Sequence, residues 1–437
     1  MPELEDLQHF LITRPHALVA RYEFLSFRKA EAGRAWLNGL IDKVGTASSV
    51  ASSNLDSRWV TVAFTWNGLR TLGVDESSLT NFPEEFQQGM AARATILGTT
   101  GANHPDHWVG GLGSPELHAI VILFARDVVE RERCRREHEE YLRGLPDVEV
   151  LSSLDLEAIA PYGHAHEHFG YRDRLSQPAI EGFGVEPTPG SGPPIKAGEF
   201  FLGYPDEEGS CVLPQPEILT RNGSYLAYLM MEEHVGRFRD FLRQNGATRE
   251  EQELVAAKLM GRWRSGAPLV LAPDKDDPEL GGDLQRNNDF NYGEMDPHGY
   301  GCPLGAHARR MNPRDTAANM QRRKMIRRGG TYGPALPEDA PEDGIERGIA
   351  AFIGCASLVR QFEFAMNVWA NDPNFHELGN ERDPIFGTQD GSYDMTIPKR
   401  PIRRKIKGLP AFTTIRGGAY FFLPGIRALR YLAALGN

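Results

Sequence analysis

The sequence has no long apolar run. Its longest uninterrupted stretches are short, such as residues 119–125 (AIVILFA). A membrane-spanning helix needs roughly 18 or more apolar residues, so none is expected. Cysteine is scarce: four in 437 residues, at Cys134, Cys211, Cys302 and Cys355, with no C-x-x-C pair. That excludes a disulfide framework and a four-cysteine zinc site. Positive charge is not in excess. Lys+Arg is 48 against 59 Asp+Glu, a net charge of −11, so neither nucleic acid nor an anionic membrane is an expected partner. The first residues, MPELEDLQHF, carry acidic groups where a secretory leader would be basic and then apolar. The expectation is therefore cytoplasmic. With 41% hydrophobic and 24% charged residues, the composition is that of a globular protein and excludes long disorder, coiled coil and collagen.

What is present alternates between strand-like and helix-like segments, twice over. Residues 17–27, 60–66 and 117–125 read as strands. Residues 30–41 and 83–97 read as helices, and the charged run 126–145 as a solvated helix with i,i+4 pairs. The second half repeats the order. Strands are expected at 224–231, 349–355 and 412–423. Helices are expected at 232–244, 250–263 and 358–369, with a last helix opened by Pro424. Long returns between strands favour an α+β fold with antiparallel sheets in two halves of similar size. Residues 186–198 (EPTPGSGPPIKAG) read as a linker, and 274–303, rich in Asp, Asn, Gly and Pro, as a long functional loop.

Four places carry residues suited to chemistry. His164, His166 and His168 form H-x-H-x-H, which puts three imidazoles on one face of a strand. Without acidic or cysteine partners at a clear spacing, an exposed polar loop is the expectation. His307 stands in CPLGAHARRMNPRD, just before Arg309, Arg310 and Arg314. One imidazole can ligate an iron, and arginines nearby can pair with carboxylates, although taken alone such a group is more often a surface cluster. Residues 169–182 (FGYRDRLSQPAIEG) hold Asp173 in a turn that opens with Gly170. Residues 324–334 (KMIRRGGTYGP) are a basic segment able to aim a guanidinium into a cavity, or a plain basic loop on an acidic protein.

Together these motifs resemble the dye-decolorizing peroxidase (DyP-type) family. FGYRDRLSQP matches the pattern F-G-F-x-D-G-x-S-Q-P, CPLGAHARRMNPR matches C-P-x-x-A-H-x-R-x-x-N-P-R, and MIRRGGTYG matches the basic stretch that follows. The likeness covers nearly the whole chain, including EFFLGYPDEEG, RQFEFAMNVWANDPNF, DPIFG and RGGAYFFLPG, and points to the longer bacterial and fungal forms. It implies two ferredoxin-like domains, 1–195 and 196–437, and one haem b per chain held mainly by the second. It implies His307 as the iron ligand, Asp173 as the distal carboxylate and Arg327 as the distal arginine. Arg327 is preferred to Arg328 because it stands six residues before Gly333. Gly170 takes the place of the first glycine of G-x-x-D-G. Arg309, Arg314 and Arg174 are candidates for the haem carboxylates, Gly170 is counted with them as a cofactor contact, and Asp383 is one candidate partner for His307. The partners implied are hydrogen peroxide and an organic electron donor, a dye or a phenol. Two other readings stay open: a haem enzyme with an oxygenase or tailoring reaction, and a haem-binding protein without catalysis. Six Trp and 13 Tyr offer relay positions, none of them singled out. One departure stands out, because Arg174 replaces the second glycine and joins Arg172 in flanking Asp173. A second is GIAAF at 348–352, where alanines replace bulkier residues expected on the distal side.

Overall fold

The computed structural model describes residues 2–12, 19–48, 59–159 and 165–436. Residues 17 and 18 of the expected first strand, and His164, lie outside the described residues. The first half contains β1 (Val19–Phe27), α1 (Ala30–Asn38), β2 (Trp59–Phe64), β3 (Ala119–Ala125), α2 (Val128–Arg143) and β4 (Val148–Glu157). The second half contains β5 (Ser224–Glu233), α3 (Val235–Asn245), α4 (Arg249–Met260), α5 (His307–Met311), β6 (Ile326–Tyr332) and β7 (Gly348–Cys355). After these come a small hairpin, β8 (Met395–Ile397) and β9 (Arg404–Ile406), then β10 (Thr413–Leu423) and α6 (Ile426–Ala433).

Each half makes an antiparallel four-stranded sheet. In sheet order the first runs β4–β1–β3–β2 and the second β6–β7–β5–β10. Counted within its own half, each reads 4-1-3-2 or its reverse, the ferredoxin-like arrangement implied above. The two sheets also meet edge to edge, at Leu156–Tyr332 and at Phe64–Phe422, and so close an eight-stranded barrel. Closure leaves few free sheet edges.

Period-2 alternation sorts the side chains between two cores. Tyr22, Phe24, Ile122, Tyr228, Phe352 and Phe421 point into the barrel from both halves. Tyr22 and Tyr228 approach the Phe352 ring at 5.4 and 4.8 Å. The opposite face packs against Trp36 and Leu37 of α1 and Leu429 and Leu432 of α6. A third core joins α3 and α4 to Phe169, Tyr171 and Cys302.

Three expectations shift for identifiable reasons. The helix expected over 83–97 breaks into short pieces because Gly89 turns at φ 76°. The helix expected over 358–369 is π-helical at Leu358–Glu363 and Ala365–Asn371. The basic segment 324–334 is a strand, not a loop, over most of its length. No helix among the described residues is long and apolar enough to cross a membrane. Phe352 joins both sheets inside the barrel, so Phe352→Ala should lower unfolding stability by about 3 to 5 kcal/mol, read from a denaturant midpoint.

Candidate functional site

Arg327 and Arg328 are neighbours on β6 and therefore point to opposite faces. Arg328 turns toward the barrel, where its guanidinium donates to the carbonyls of Phe10 (2.9 Å) and Leu11. Arg327 turns outward. It lies deep in the protein, yet its side chain still faces open space, as a cavity wall requires. Across the same face, Arg327 is opposite Ile353, Gly329 opposite Ala351 and Thr331 opposite Ile349. The three β7 residues are only half-buried although β7 is interior to the sheet. Ala351 thus lines this space. Ala350 does not: it points into the barrel core, so only one of the two alanines expected on the distal side is there.

Asp173 is brought to Arg327 by the loop that follows β4. Gln177 fastens the two elements. Its Oε1 accepts the Arg327 N–H at 3.0 Å, and its Nε2 donates to the Arg327 carbonyl at 3.1 Å. A side chain thereby fills the place of a strand partner along the edge of β6. The Arg327 guanidinium donates to the Ser176 carbonyl at 2.9 Å. Burial lowers the pKa of Arg327 and the Asp173 carboxylate pulls it back up, so the two charges act on each other. The Asp173 N–H donates to the Ala165 carbonyl at 2.8 Å, and the Arg172 N–H to the Arg264 carbonyl at 3.0 Å. Gly170 takes φ 93°, and a β-carbon there would stand 2.9 Å from Arg264 Nη1. Its role is to form the turn. Arg174, where the family has glycine, keeps a left-handed backbone at φ 64°.

His307 opens α5. Its Nδ1 stands 2.9 and 3.1 Å from the Asp383 carboxylate oxygens. A carboxylate only accepts, so Nδ1 carries the proton and Nε2 carries the lone pair. Among the described residues no protein group takes Nε2, and the side chain is 29% exposed. Asp383 has no exposed surface, and its Oδ1 also accepts the N–H groups of Ile385 (2.9 Å) and Phe386 (2.8 Å). Burial alone would raise its pKa. The His307 imidazole, the Phe386 N–H and Arg310 outweigh burial and hold it below the usual value.

A group of cations surrounds Arg327. Arg262 and Arg314 share Asn288 Oδ1 at 2.6 and 3.2 Å. Arg314 Nη1 also donates to the carbonyls of Gly190, Asn288 and Phe290, and its guanidinium lies 3.7 Å from the Phe290 ring centre. Lys324 donates to Asn312 Oδ1 at 2.9 Å, tying the start of β6 to the segment after α5. Burial, then the charges of Arg314 and Arg327, push the Lys324 ammonium down to about 8. Burial likewise lowers Arg262 to about 10, with Arg314 and Arg327 adding to the fall. No ion pair joins any of these four cations to a carboxylate among the described residues. Arg262 and Lys324 were not singled out in the sequence, although Lys324 opens the basic segment that was.

Arg309 departs from expectation. It is 1% exposed, its Nη1 donates to the carbonyls of Asp296 and Cys302, both at 2.9 Å, and its guanidinium stacks 4.5 Å from the Tyr292 ring. It braces the loop around Cys302, so these bonds hold the protein itself together and not a haem carboxylate. His168 also departs: it is buried, with Nε2 2.8 Å from the Tyr332 carbonyl, and not in an exposed loop. No group of three His, Cys, Asp or Glu able to hold a metal occurs among the described residues.

No family model matches the chain. Curated relatives do. It is 30% identical over 456 residues to a dye-decolorizing peroxidase of Exidia glandulosa, covering 97% of this chain and 86% of that one. It is 30% identical over 416 residues to a dye-decolorizing peroxidase of Mycena epipterygia, covering 86% and 76%. The chain belongs to the dye-decolorizing peroxidase family. It is therefore a haem peroxidase, an oxidoreductase that reduces peroxide at the expense of an electron donor. Among solved structures, a DyP-type peroxidase of Auricularia auricula-judae superposes with a TM-score of 0.87 at 27% identity, covering 99% of this chain and all of that one. A dye-decolorizing peroxidase in complex with 2,6-dimethoxyphenol superposes with a TM-score of 0.87 at 25% identity.

The conformation of Arg174 has a measurable consequence in this peroxidase. A β-carbon in the left-handed region costs about 1 kcal/mol. Arg174→Gly should raise stability by about that amount in a denaturant titration. Arg174→Ala keeps the β-carbon and should give no such gain.

Proposed function

We propose that this peroxidase binds one haem b through His307 Nε2 and uses Asp173 and Arg327 to break hydrogen peroxide on the opposite side. The observation that carries the proposal is the His307–Asp383 pair, which fixes the tautomer and leaves one lone pair facing open space. The residues fit the group. A haem brings two carboxylates, and Arg314, Lys324, Arg262 and Arg327 are deep cations with no carboxylate in ion-pair contact. Arg314 and Lys324 would hold those carboxylates. Residues 1–195 and 196–437 are taken as the two units, with Asp173 supplied by the first and the other groups by the second.

What haem supplies when bound is an iron site for peroxide and the electrons that reduce it. The chain's own residues move protons and stabilise charge. Asp173 would take a proton from peroxide and return it to the departing oxygen, directly or through one water. Arg327 donates to that leaving oxygen while the O–O bond breaks and negative charge grows on it. It is charged at every working pH, so it serves as a donor and never as the base. Asp383 keeps His307 turned and basic. Two electrons from a dye or a phenol, such as 2,6-dimethoxyphenol, and two protons complete the reduction of one peroxide to two waters.

His307→Ala should abolish the Soret band of the purified protein; an unchanged band would refute the ligand. With haem loaded, Asp173→Asn should slow the reaction with peroxide by about 10²- to 10⁴-fold in stopped flow. Arg327→Leu should slow it by about 10²- to 10³-fold.

Lys324 adds a pH dependence to haem binding. Its value of about 8 is that of the cofactor-free chain, and a haem carboxylate beside it favours the charged form. Below about 8 the ammonium is already charged. Above that, binding must take up a proton, so haem affinity should fall as pH rises. Lys324→Met should weaken affinity by roughly tenfold at neutral pH and flatten this dependence, as read in haem titrations.

A further inference from the structure

Beneath the turn that carries Asp173 lie two carboxyl groups, Glu167 and Glu233. Glu167 opens the turn, and Glu233 ends β5 and is 5% exposed. The Glu167 oxygens accept the N–H groups of Phe169 at 2.7 Å and Tyr171 at 2.6 Å. Glu233 Oε2 accepts the N–H of His168 at 3.2 Å. The N–H groups of the consecutive residues His168 and Phe169 thus fall to different carboxyls, which brings the two side chains together under one turn. Two carboxylates held that close and away from water repel, which favours one proton between them.

Among the described residues neither carboxyl has an ion-pair partner. The Arg264 charge reaches Glu167, but its Nε and Nη2 hold Glu253 at 2.6 and 3.1 Å and its Nη1 holds the Phe169 carbonyl. Arg347, which precedes β7, is spent on Asp343 and Glu342. On β5 and just after it, Glu232 faces Arg416, and burial leaves His234 neutral with a value of about 4. Burial leaves His168 neutral as well, again at about 4. The Tyr171 phenol is held protonated by burial, with Asp276 and Glu253 adding to the effect. Asp173 itself adds negative charge.

We propose that Glu167 and Glu233 share one proton, and that this proton keeps the Asp173 turn closed, so that its loss sets the alkaline limit of peroxidase activity. The proton rests chiefly on Glu233. Burial, then the charges of Glu167 and Asp173, hold Glu233 well above its ordinary 4.5. Burial raises Glu167 too, but the Tyr171 and Phe169 N–H groups favour its ionised form. A raised carboxyl stabilises the fold fully below about 4.5 and loses that contribution as pH climbs through the folded value. Beyond that point two carboxylates and Asp173 repel one another, and the turn loses its anchor. Glu167 and Glu233 are positioning residues. The inference rests on Asp173 as the proton carrier.

The test uses the haem-loaded enzyme. Infrared spectra should show the C=O stretch of a water-excluded protonated carboxyl at neutral pH, absent in Glu233→Gln. That band should vanish at the pH where activity falls, and the Phe169 and Tyr171 amides should lose hydrogen-exchange protection with it. Above its limit the parent should lose about tenfold in rate per pH unit, the loss expected of one required proton. Glu233→Gln donates permanently to Glu167 and should keep its rate there. A parent with no such band at neutral pH overturns the proposal. So do amides that stay protected once the band is gone, or an unchanged alkaline limb in folded, haem-loaded Glu233→Gln. If that variant does not fold, a band and an activity lost at different pH overturn it in the parent alone. Failure of the Asp173 reading looks different: Asp173→Asn would react with peroxide at the parent's rate while the band and amide protection still follow pH.

Discussion

The site is organised around keeping a guanidinium deep in the protein with no carboxylate bonded to it. Burial of its surroundings lowers its pKa, although the side chain itself faces open space. Arg327 is held there by its neighbours: a strand fixes its backbone, Gln177 bonds both its N–H and its carbonyl, and Ser176 takes one guanidinium N–H. A lysine is discharged more easily than an arginine in such surroundings, as the lowered pKa of Lys324 illustrates. An arginine stays charged. That charge attracts Asp173 across the space and, with Arg262, Arg314 and Lys324, calls for an anionic cofactor.

The same constraint explains why the chain needs both halves. Ferredoxin-like sheets offer one face to helices and the other to a partner sheet. Here the inner faces are consumed by barrel closure, so chemistry is confined to the outer face of β6 and β7, where helix cover is incomplete. The Asp173 loop reaches that face from the end of β4 and is fixed by groups of the second half. These are the Arg264 carbonyl, Asn288 on the Leu175 carbonyl at 3.1 Å, and Glu233 beneath the turn. Its position is set by second-half groups more than by its own sequence.

That division decides what the sequence could reveal. His307, Asp173 and Arg327 stood out as candidates because each lies within a dense local motif. The strands of both sheets were mostly legible from apolar runs. β6 was not, because its exposed face carries Arg327 and Gly329, so alternation reads as a basic loop. Arg309 misled for a related reason. Sequence distance places it beside Arg314, while the short helix turns it into the core under Tyr292. Glu167 and Glu233 are 66 positions apart, and nothing in either segment announces a pair.

Arg174 bears on how such a turn tolerates change. Glycine at this point would reach the left-handed region without penalty, and an arginine reaches it all the same, at φ 64°. The backbone shape is therefore imposed by the bonds around it and not by the residue within it. The Asp173 N–H on the Ala165 carbonyl, the Arg172 N–H on the Arg264 carbonyl and the Arg174 N–H on Asp173 Oδ1 at 2.6 Å fix the chain on both sides of that residue. A turn held this way spends stability, not geometry, when glycine is lost. The added guanidinium has a cost of its own, because it brings a further cation to a region already crowded with them. Its charge reaches as far as the buried Tyr22 phenol inside the barrel. What Arg174 adds to this turn is therefore charge on the Asp173 side, while the backbone bonds keep the shape that glycine would adopt freely.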